Sequence, residues 1–285
     1  MAMRSDFRTF RNAAWLGWQM EANWTDPFLF ATYSIVKPIA ATLILVFMYM
    51  VISGGGTTAG FSFMYVGNAL YMYVADVLFG VTWVIHDDRE HYMTLKQVYI
   101  APISFYMYIF GRAAIKIAIT SMGVFLTLLF GVLVLGVDIN LMTVDWLMLV
   151  PSFVLGLACL CIMGLALGGI SFLTAKHGEG INEGVAGVFY VLAGVIFPIT
   201  ILPGWAQVVS RFLPVTYWME AVRRALGSAV IGISGGTGLQ NLNNLQLMLA
   251  LLVSTVAFLF ISLGIFKYAD RMARRKGKID WTTTY

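Results

Sequence analysis

The chain has 285 residues, of which 60% are hydrophobic and 11% charged, with a formal net charge of +4 and a mean hydropathy of +0.82. Soluble globular chains run about 45–50% apolar and about 25% charged. This composition therefore excludes an ordinary water-soluble domain, because too little polar surface exists to cover a core of this size. Lipid is the solvent left for the surplus, and the expected fold is an all-α polytopic membrane protein forming one transmembrane domain over residues 1–285.

The first predicted element is a helix over 4–24. Phe7, Phe10, Ala14 and Trp18 recur at helical spacing, with Arg4, Arg8, Asn12 and Gln19 mostly opposite. A basic, Trp-bearing amphipathic helix suits the membrane interface; the plain alternative is a solvated helix on the protein's own surface. The first apolar run begins only near Phe28, after Arg4, Arg8 and Arg11, and so is expected to insert and stay rather than act as a cleaved signal.

About 20 apolar residues cross a bilayer as a helix. Six candidate spans follow at roughly 30–52, 61–85, 117–137, 146–173, 184–201 and 245–267. Lys37 lies inside the first, where it either snorkels to the surface or marks the true start of the span. Within the fourth, Cys159 and Cys161 sit two apart, which specifies neither a disulfide framework nor a zinc site. Gly164 and Gly168 form a GxxxG there, with Gly156 and Gly169 nearby and Gly184, Gly187 and Gly194 in the fifth span. Such residues let membrane helices approach closely, within one subunit or between two. If the N-terminus is cytoplasmic, only Arg211, Arg223 and Arg224 of the 18 Lys and Arg residues face outward. The positive-inside rule then puts both termini in the cytoplasm and makes the basic tail at 269–285 a lipid-facing anchor, with no nucleic-acid role needed.

Three charged places carry the chemistry. Asp76 lies deep in the second span, on a stripe with Tyr65, Asn68, Met72, Phe79 and Trp83. A carboxylate at that depth faces the bundle interior or a wet cavity, so Tyr65, Asn68, Met72 and Asp76 are candidate pathway residues; a structural hydrogen bond or ion pair is the alternative. His86, Asp87, Asp88, Glu90 and His91 crowd the end of the same span. They would splay around a helix, so a solvated docking surface is expected there rather than a metal site. Glu220, Arg223 and Arg224 read as local helical pairs, or as a contact for an acidic substrate.

Two segments are unlike generic membrane filler. Residues 86–104 form a charged stretch, HDDREHYMTLKQVYIAPIS, between the second and third spans. Residues 198–228 form a proline-broken stretch between the fifth and sixth, predicted as two short amphipathic helices with Trp205, Tyr217 and Trp218 in the interfacial aromatic belt. Broken helices at membrane depth require protein or a wet cavity to satisfy the freed backbone.

On these two segments the chain resembles the permease subunits of type-2 ABC exporters. Glu90, Thr94, Leu95, Pro102, Gly111 and Arg112 match the family's cytoplasmic motif in order, with Met93 where a glycine is usual. Phe197, Pro198, Leu202 to Trp205, Leu213, Pro214, Thr216, Tyr217 and Arg223 match its outer motif. The resemblance implies a dimer of permeases paired with cytoplasmic ABC ATPase subunits, which would hold the ATP and Mg. It implies that Arg89, Glu90, Thr94, Leu95 and Lys96 couple the chain to that ATPase. It implies an outer re-entrant segment marked by Pro198, Pro203, Trp205, Pro214, Tyr217 and Arg223. The expected location is the cytoplasmic membrane of a prokaryote, and the expected cargo an amphiphile: a lipid, a lipid-linked glycan or a hydrophobic drug. No G-x-x-x-x-G-K-[ST] loop occurs in the sequence, so no cofactor is expected in this chain and it is read as no enzyme by itself. A membrane-embedded lipid-modifying enzyme would need clustered catalytic groups, and an ion-coupled secondary transporter paired repeats; neither pattern stands out.

Overall fold

The computed structural model describes residues 2–22, 26–54, 59–137, 139, 142–173, 178–227 and 237–277. Positions 23–24, Lys176, position 228 and the end of the basic tail at 278–285 lie outside these residues. Among the described residues all regular structure is helical: α1 (Ala2–Ala22), α2 (Pro27–Ser53), α3 (Ala59–Tyr73), a π-helical turn (Val74–Leu78), α4 (Phe79–Glu90), α5 (Leu95–Ile100), α6 (Phe105–Val134), α7 (Trp146–Leu173), α8 (Gly178–Leu192), a 3₁₀ turn (Ile199–Ile201), α9 (Gly204–Phe212), α10 (Pro214–Leu226) and α11 (Asn244–Arg275).

Five helical stretches among the described residues are long and apolar enough to cross a membrane: Phe28–Ser53, Gly60–Glu90, Phe105–Val134, Trp146–Ser171 and Asn244–Arg275. The stretch predicted as the fifth span, 184–201, is not one of them. Its helix, α8, stops at Leu192, and Gly194 turns the chain with φ +71° before Pro198 opens the 3₁₀ turn. The third span begins earlier than its apolar run, because Arg112 and Lys116 are neutralised by Asp88 and Glu21 and do not interrupt the helix. At about 1.5 Å per residue, α6 is about 45 Å long, well beyond the hydrocarbon core of about 30 Å.

The continuous rod α3–π–α4 is the central element. Of its most apolar window 67% is buried, against 11% for α2, which lies at the periphery. Small residues set how closely α7 approaches this rod. A Cβ on Gly164 would meet the Leu78 carbonyl oxygen at 2.5 Å, and one on Gly168 would meet Ile85 Cδ1 at 2.7 Å. Gly169 faces the backbone of Phe266 on α11, and Gly156 lies under the ring of Trp218. The GxxxG is thus packing inside one chain. Gly184 and Gly187 on α8 meet nothing within 4 Å.

Helix α1 packs on the first turns of α6 through the small face Thr9, Ala13 and Gly17, not through its aromatic stripe. A Cβ on Gly111 of α6 would strike the Phe10 carbonyl oxygen at 2.5 Å, so the two backbones touch there. Phe7, Trp15 and Trp18 consequently stay exposed, free to meet lipid.

Gly164→Leu is expected to lower the thermal midpoint in detergent by the equivalent of about 1–3 kcal/mol, the usual range for overpacking a close contact. Gly264, which has open space around it, provides the control: Gly264→Leu should leave the midpoint unchanged or raise it, since leucine favours a helix over glycine by about 1 kcal/mol. Differential scanning fluorimetry of both variants measures this.

Candidate functional site

Three groups of polar side chains organise the bundle, each at an irregularity in a helix. The first closes the junction of α4, α5 and α6. Asp88, on the last turn of α4, accepts from Tyr108 Oη at 2.8 Å, Arg112 Nη1 at 3.2 Å and Thr94 Oγ1 at 3.4 Å. Arg112 also donates to Tyr108 Oη at 3.1 Å. Asp88 and Arg112 are both almost wholly buried. A buried charge survives only when paired and hydrogen-bonded, and here one carboxylate satisfies three elements. Beside it, Arg89 donates to the Ser171 carbonyl at the end of α7 at 3.0 Å and to Glu90 at 2.8 Å.

This overturns the expectation of a solvated surface over 86–91 as far as Asp88, Arg89 and Glu90 are concerned. Arg89 is 3% exposed and cannot meet a partner protein; it ties α4 to α7. Thr94 is spent on Asp88 and Leu95 is buried. Lys96 is exposed, together with Tyr92, Met93, Gln97, Ile100 and Ile103. The exposed face of this segment is therefore a mixed apolar and basic knob on α5, with Asp88 and Arg89 buried behind it. Met93 adopts φ +53°, a left-handed conformation that costs a side-chain-bearing residue roughly 1 kcal/mol and a glycine almost nothing.

Helix α5 is also latched to α11. Tyr99 Oη donates to Asp270 Oδ1 at 2.9 Å, and the Arg274 guanidinium, paired with Asp270 at 3.1 Å, stands 4.7 Å above the Tyr99 ring. Phe105 stacks on Tyr99 at 4.8 Å and on Phe266 at 5.9 Å. Burial, with the Asp270 carboxylate beside it, pushes the Tyr99 pKa up, so the phenol keeps its proton for this bond. Nothing in the spacing of Tyr99 and Asp270, 171 residues apart, announced the contact.

The second group surrounds Asp76. A π turn lies at Val74–Leu78, and Tyr65, Met72 and Asp76 face α6 one below another, at Thr127, Gly123 and Thr120. Tyr65 is buried and donates to the Thr127 carbonyl at 2.6 Å. Asn68 bonds to Thr42 at 3.1 Å and accepts from Tyr190 at 3.2 Å. These two are structural. Met72 and Asp76 instead line a cavity of about 480 Å³ between α1, α2, the π turn and α6, shared with Glu21, Lys37 and Thr120. Thr120 Oγ1 donates to Asp76 Oδ2 at 3.1 Å, and Glu21 pairs with Lys116.

The third group lies at the break after α8. Pro203 and Pro214 start α9 and α10, as the two-helix expectation required, and Pro198 opens the 3₁₀ turn. Helix α9 exposes Trp205, Val208 and Phe212, but α10 is mostly buried against α7. Trp218 is a core residue, edge-on to Tyr73 at 6.1 Å, and not part of an aromatic belt. Tyr217 Oη donates to the Arg211 carbonyl at 2.7 Å and so joins α10 to α9. Arg223 is fully enclosed: it donates to the carbonyls of Gly194 at 2.8 Å, Val195 at 2.7 Å and Phe63 at 3.4 Å, with the Phe63 ring 3.5 Å beneath it. Burial pulls its pKa down to about 9, against the opposing effect of Glu220, and it stays protonated at neutral pH. Gly67 makes room, since a Cβ there would collide with Arg223 and the Val195 carbonyl. The reading of Arg223 as a substrate contact is thereby overturned. Glu220 pairs with Arg224 at 2.9 Å and accepts from Thr237 at 2.8 Å, in a buried setting rather than on an exposed face.

A sequence model of the ABC-2 type transporter family matches residues 13–226, three quarters of the chain. No curated protein matches it. The matched region contains Asp76, Asp88, Arg112 and Arg223, and leaves out Thr237, Asp270 and Arg274.

Asp88→Asn should lower stability by about 3–5 kcal/mol by leaving Arg112 buried without its counter-charge; the double variant Asp88→Asn with Arg112→Met should recover part of that loss in the same thermal measurement. Gly67→Ala should be nearly as damaging as Arg223→Met, because both empty the same guanidinium site. A benign Gly67→Ala would mean that α10 can separate from α3 at no cost.

Proposed function

The chain belongs to the ABC-2 type transporter family and is a multi-pass membrane protein, and from that premise we propose that it is the permease subunit of an ATP-driven exporter energised by a separate ATPase. The observation that carries this reading is the α5 knob. A six-residue helix, Leu95–Ile100, projects exposed Lys96, Gln97 and Ile100 while Thr94 ties its start to Asp88 of α4 and Tyr99 ties it to Phe105 of α6 and Asp270 of α11. Force applied to such a helix would pass to α4, α6 and α11 directly and to α7 through Arg89 of α4. That is what a membrane subunit needs if its motor, with ATP and Mg, is another polypeptide.

In this reading α5 and both chain termini face the cytoplasm of a prokaryotic cell. Helix α8 and the segment to Ile201 count as the fifth of six spans, and α9 and α10 form a re-entrant outer segment. Two copies pair, and the cargo is an amphiphile such as a lipid, a lipid-linked glycan or a hydrophobic drug. The open face of α8, with Gly184 and Gly187 uncovered, leaves room for a second copy to approach. Asp76 and Met72 are the pathway candidates that remain, because they reach a cavity, whereas Tyr65 and Asn68 are committed to hydrogen bonds.

Ile100→Asp combined with Lys96→Glu should abolish co-purification of the ATPase subunit, or cut transport-coupled ATP hydrolysis by at least about tenfold, a loss of about 1.4 kcal/mol at the interface. Thermal stability should not change, since both side chains are exposed. Unaltered coupling in vesicles, or export driven by an ion gradient without ATP, would refute the proposal. Met93→Gly should keep coupling intact while raising stability by up to about 1 kcal/mol, less the entropy that glycine adds to the unfolded chain.

A further inference from the structure

The cavity beside Asp76 holds both signs of charge within an apolar frame. Asp76 uses one carboxylate oxygen for Thr120 and presents the rest of its carboxylate to the cavity. Lys37, on α2, lines the same space and makes no hydrogen bond or ion pair among the described residues, although its charge acts on Asp76. Glu21 contributes a second carboxylate, already matched by Lys116. Tyr33 and Ser34 add hydroxyl groups, and Pro38 and Ile119 add apolar wall. The volume, about 480 Å³, is in the range of small-ligand sites, roughly 300–1,000 Å³.

The mouth of the cavity continues into lipid-facing surface. Tyr33, Val36, Ile44, Phe47 and Val51 of α2 are all more than half exposed and follow one another at helical spacing past Lys37. A purely anionic head group would meet the carboxylates of Glu21 and Asp76. A purely cationic one would meet Lys37 and Lys116. Only a head group carrying an ammonium and a phosphate pairs with what is there, and only a ligand with acyl chains uses the apolar strip outside.

We propose that this cavity is a binding site for a zwitterionic phospholipid, with the ammonium group at Asp76, the phosphate at Lys37 and the acyl chains along the exposed face of α2. The site rests on the chain's place in a membrane and not on export, so a complex without transport activity would leave it standing.

The test is lipid retention by the purified full-length chain, read by native mass spectrometry. The probes are dioleoyl phosphatidylethanolamine, dioleoyl phosphatidylglycerol and a diacyl trimethylammonium lipid. The ethanolamine lipid should be retained about tenfold better than either of the others, the difference expected from losing one charge-assisted contact. Asp76→Asn should shift the preference toward phosphatidylglycerol, and Lys37→Gln toward the cationic lipid. Ala41 lines the cavity and is itself exposed, so Ala41→Trp should fold normally and block all three lipids. Glycerophosphoethanolamine, which has no acyl chains, should compete poorly; equal competition would make the ligand a soluble zwitterion and overturn the lipid assignment. Equal retention of the three lipids would overturn the site, as would preferences untouched by both charge variants or binding undiminished by Ala41→Trp.

Discussion

A hydrocarbon medium offers no partner to a backbone carbonyl released by a broken helix. Each unsatisfied group there costs several kcal/mol. At Gly194 this chain breaks a helix among its buried elements, and Arg223 supplies the missing donors to Gly194 and Val195 while its ring-stacked guanidinium is shielded by Phe63. The placement of α10 follows from that need. So does Gly67, because a side chain at that position would occupy the volume that the guanidinium takes. One arginine thus joins α10, the break after α8 and α3 in a single contact.

The same constraint shapes the opposite irregularities. Where α4 ends and the chain turns into α5, Asp88 gathers Tyr108, Arg112 and Thr94, and Arg89 takes the Ser171 carbonyl. The end of α7 is thus closed by a side chain from a neighbouring helix. The charges that make the segment look hydrophilic are mostly turned inward. What faces outward is a small surface of Lys96, Gln97 and Ile100. The small exposed helix is backed by contacts to α4, α6 and α11, and through Arg89 of α4 to α7.

The π turn is the third irregularity and has a different consequence. At the turn Val74–Leu78, Asp76 lines a cavity with Lys37 and Glu21, on the face that Met72 of α3 also presents. The helix keeps its hydrogen bonding through the turn, so the carboxylate is exposed to the cavity without breaking the span. Thr120 of α6 then steadies one of its oxygens. Peripheral α2, little buried by the rest of the chain, forms one wall of this cavity.

The sequence by itself determined the solvent, the helical class and the segments that matter. Sixty per cent apolar residues and runs of about 20 are local properties, and a proline at 203 or 214 starts a helix wherever it lies. Family membership was also legible, because Gly111 with Arg112 and Leu202 to Trp205 are contiguous motifs. The tertiary structure alone decided what the charged residues do. Asp88 and Arg112 are 24 residues apart and Arg223 and Gly194 are 29 apart, on different elements, and no periodicity links them. Arg89, Arg223 and Trp218 therefore looked like surface groups and proved to be core. Asp76 shares a face with Met72 beside a cavity that helical spacing could not show. Helical spacing reports which residues share a face of one helix; which helix that face meets, and whether water, lipid or an opposite charge waits there, is settled only by packing.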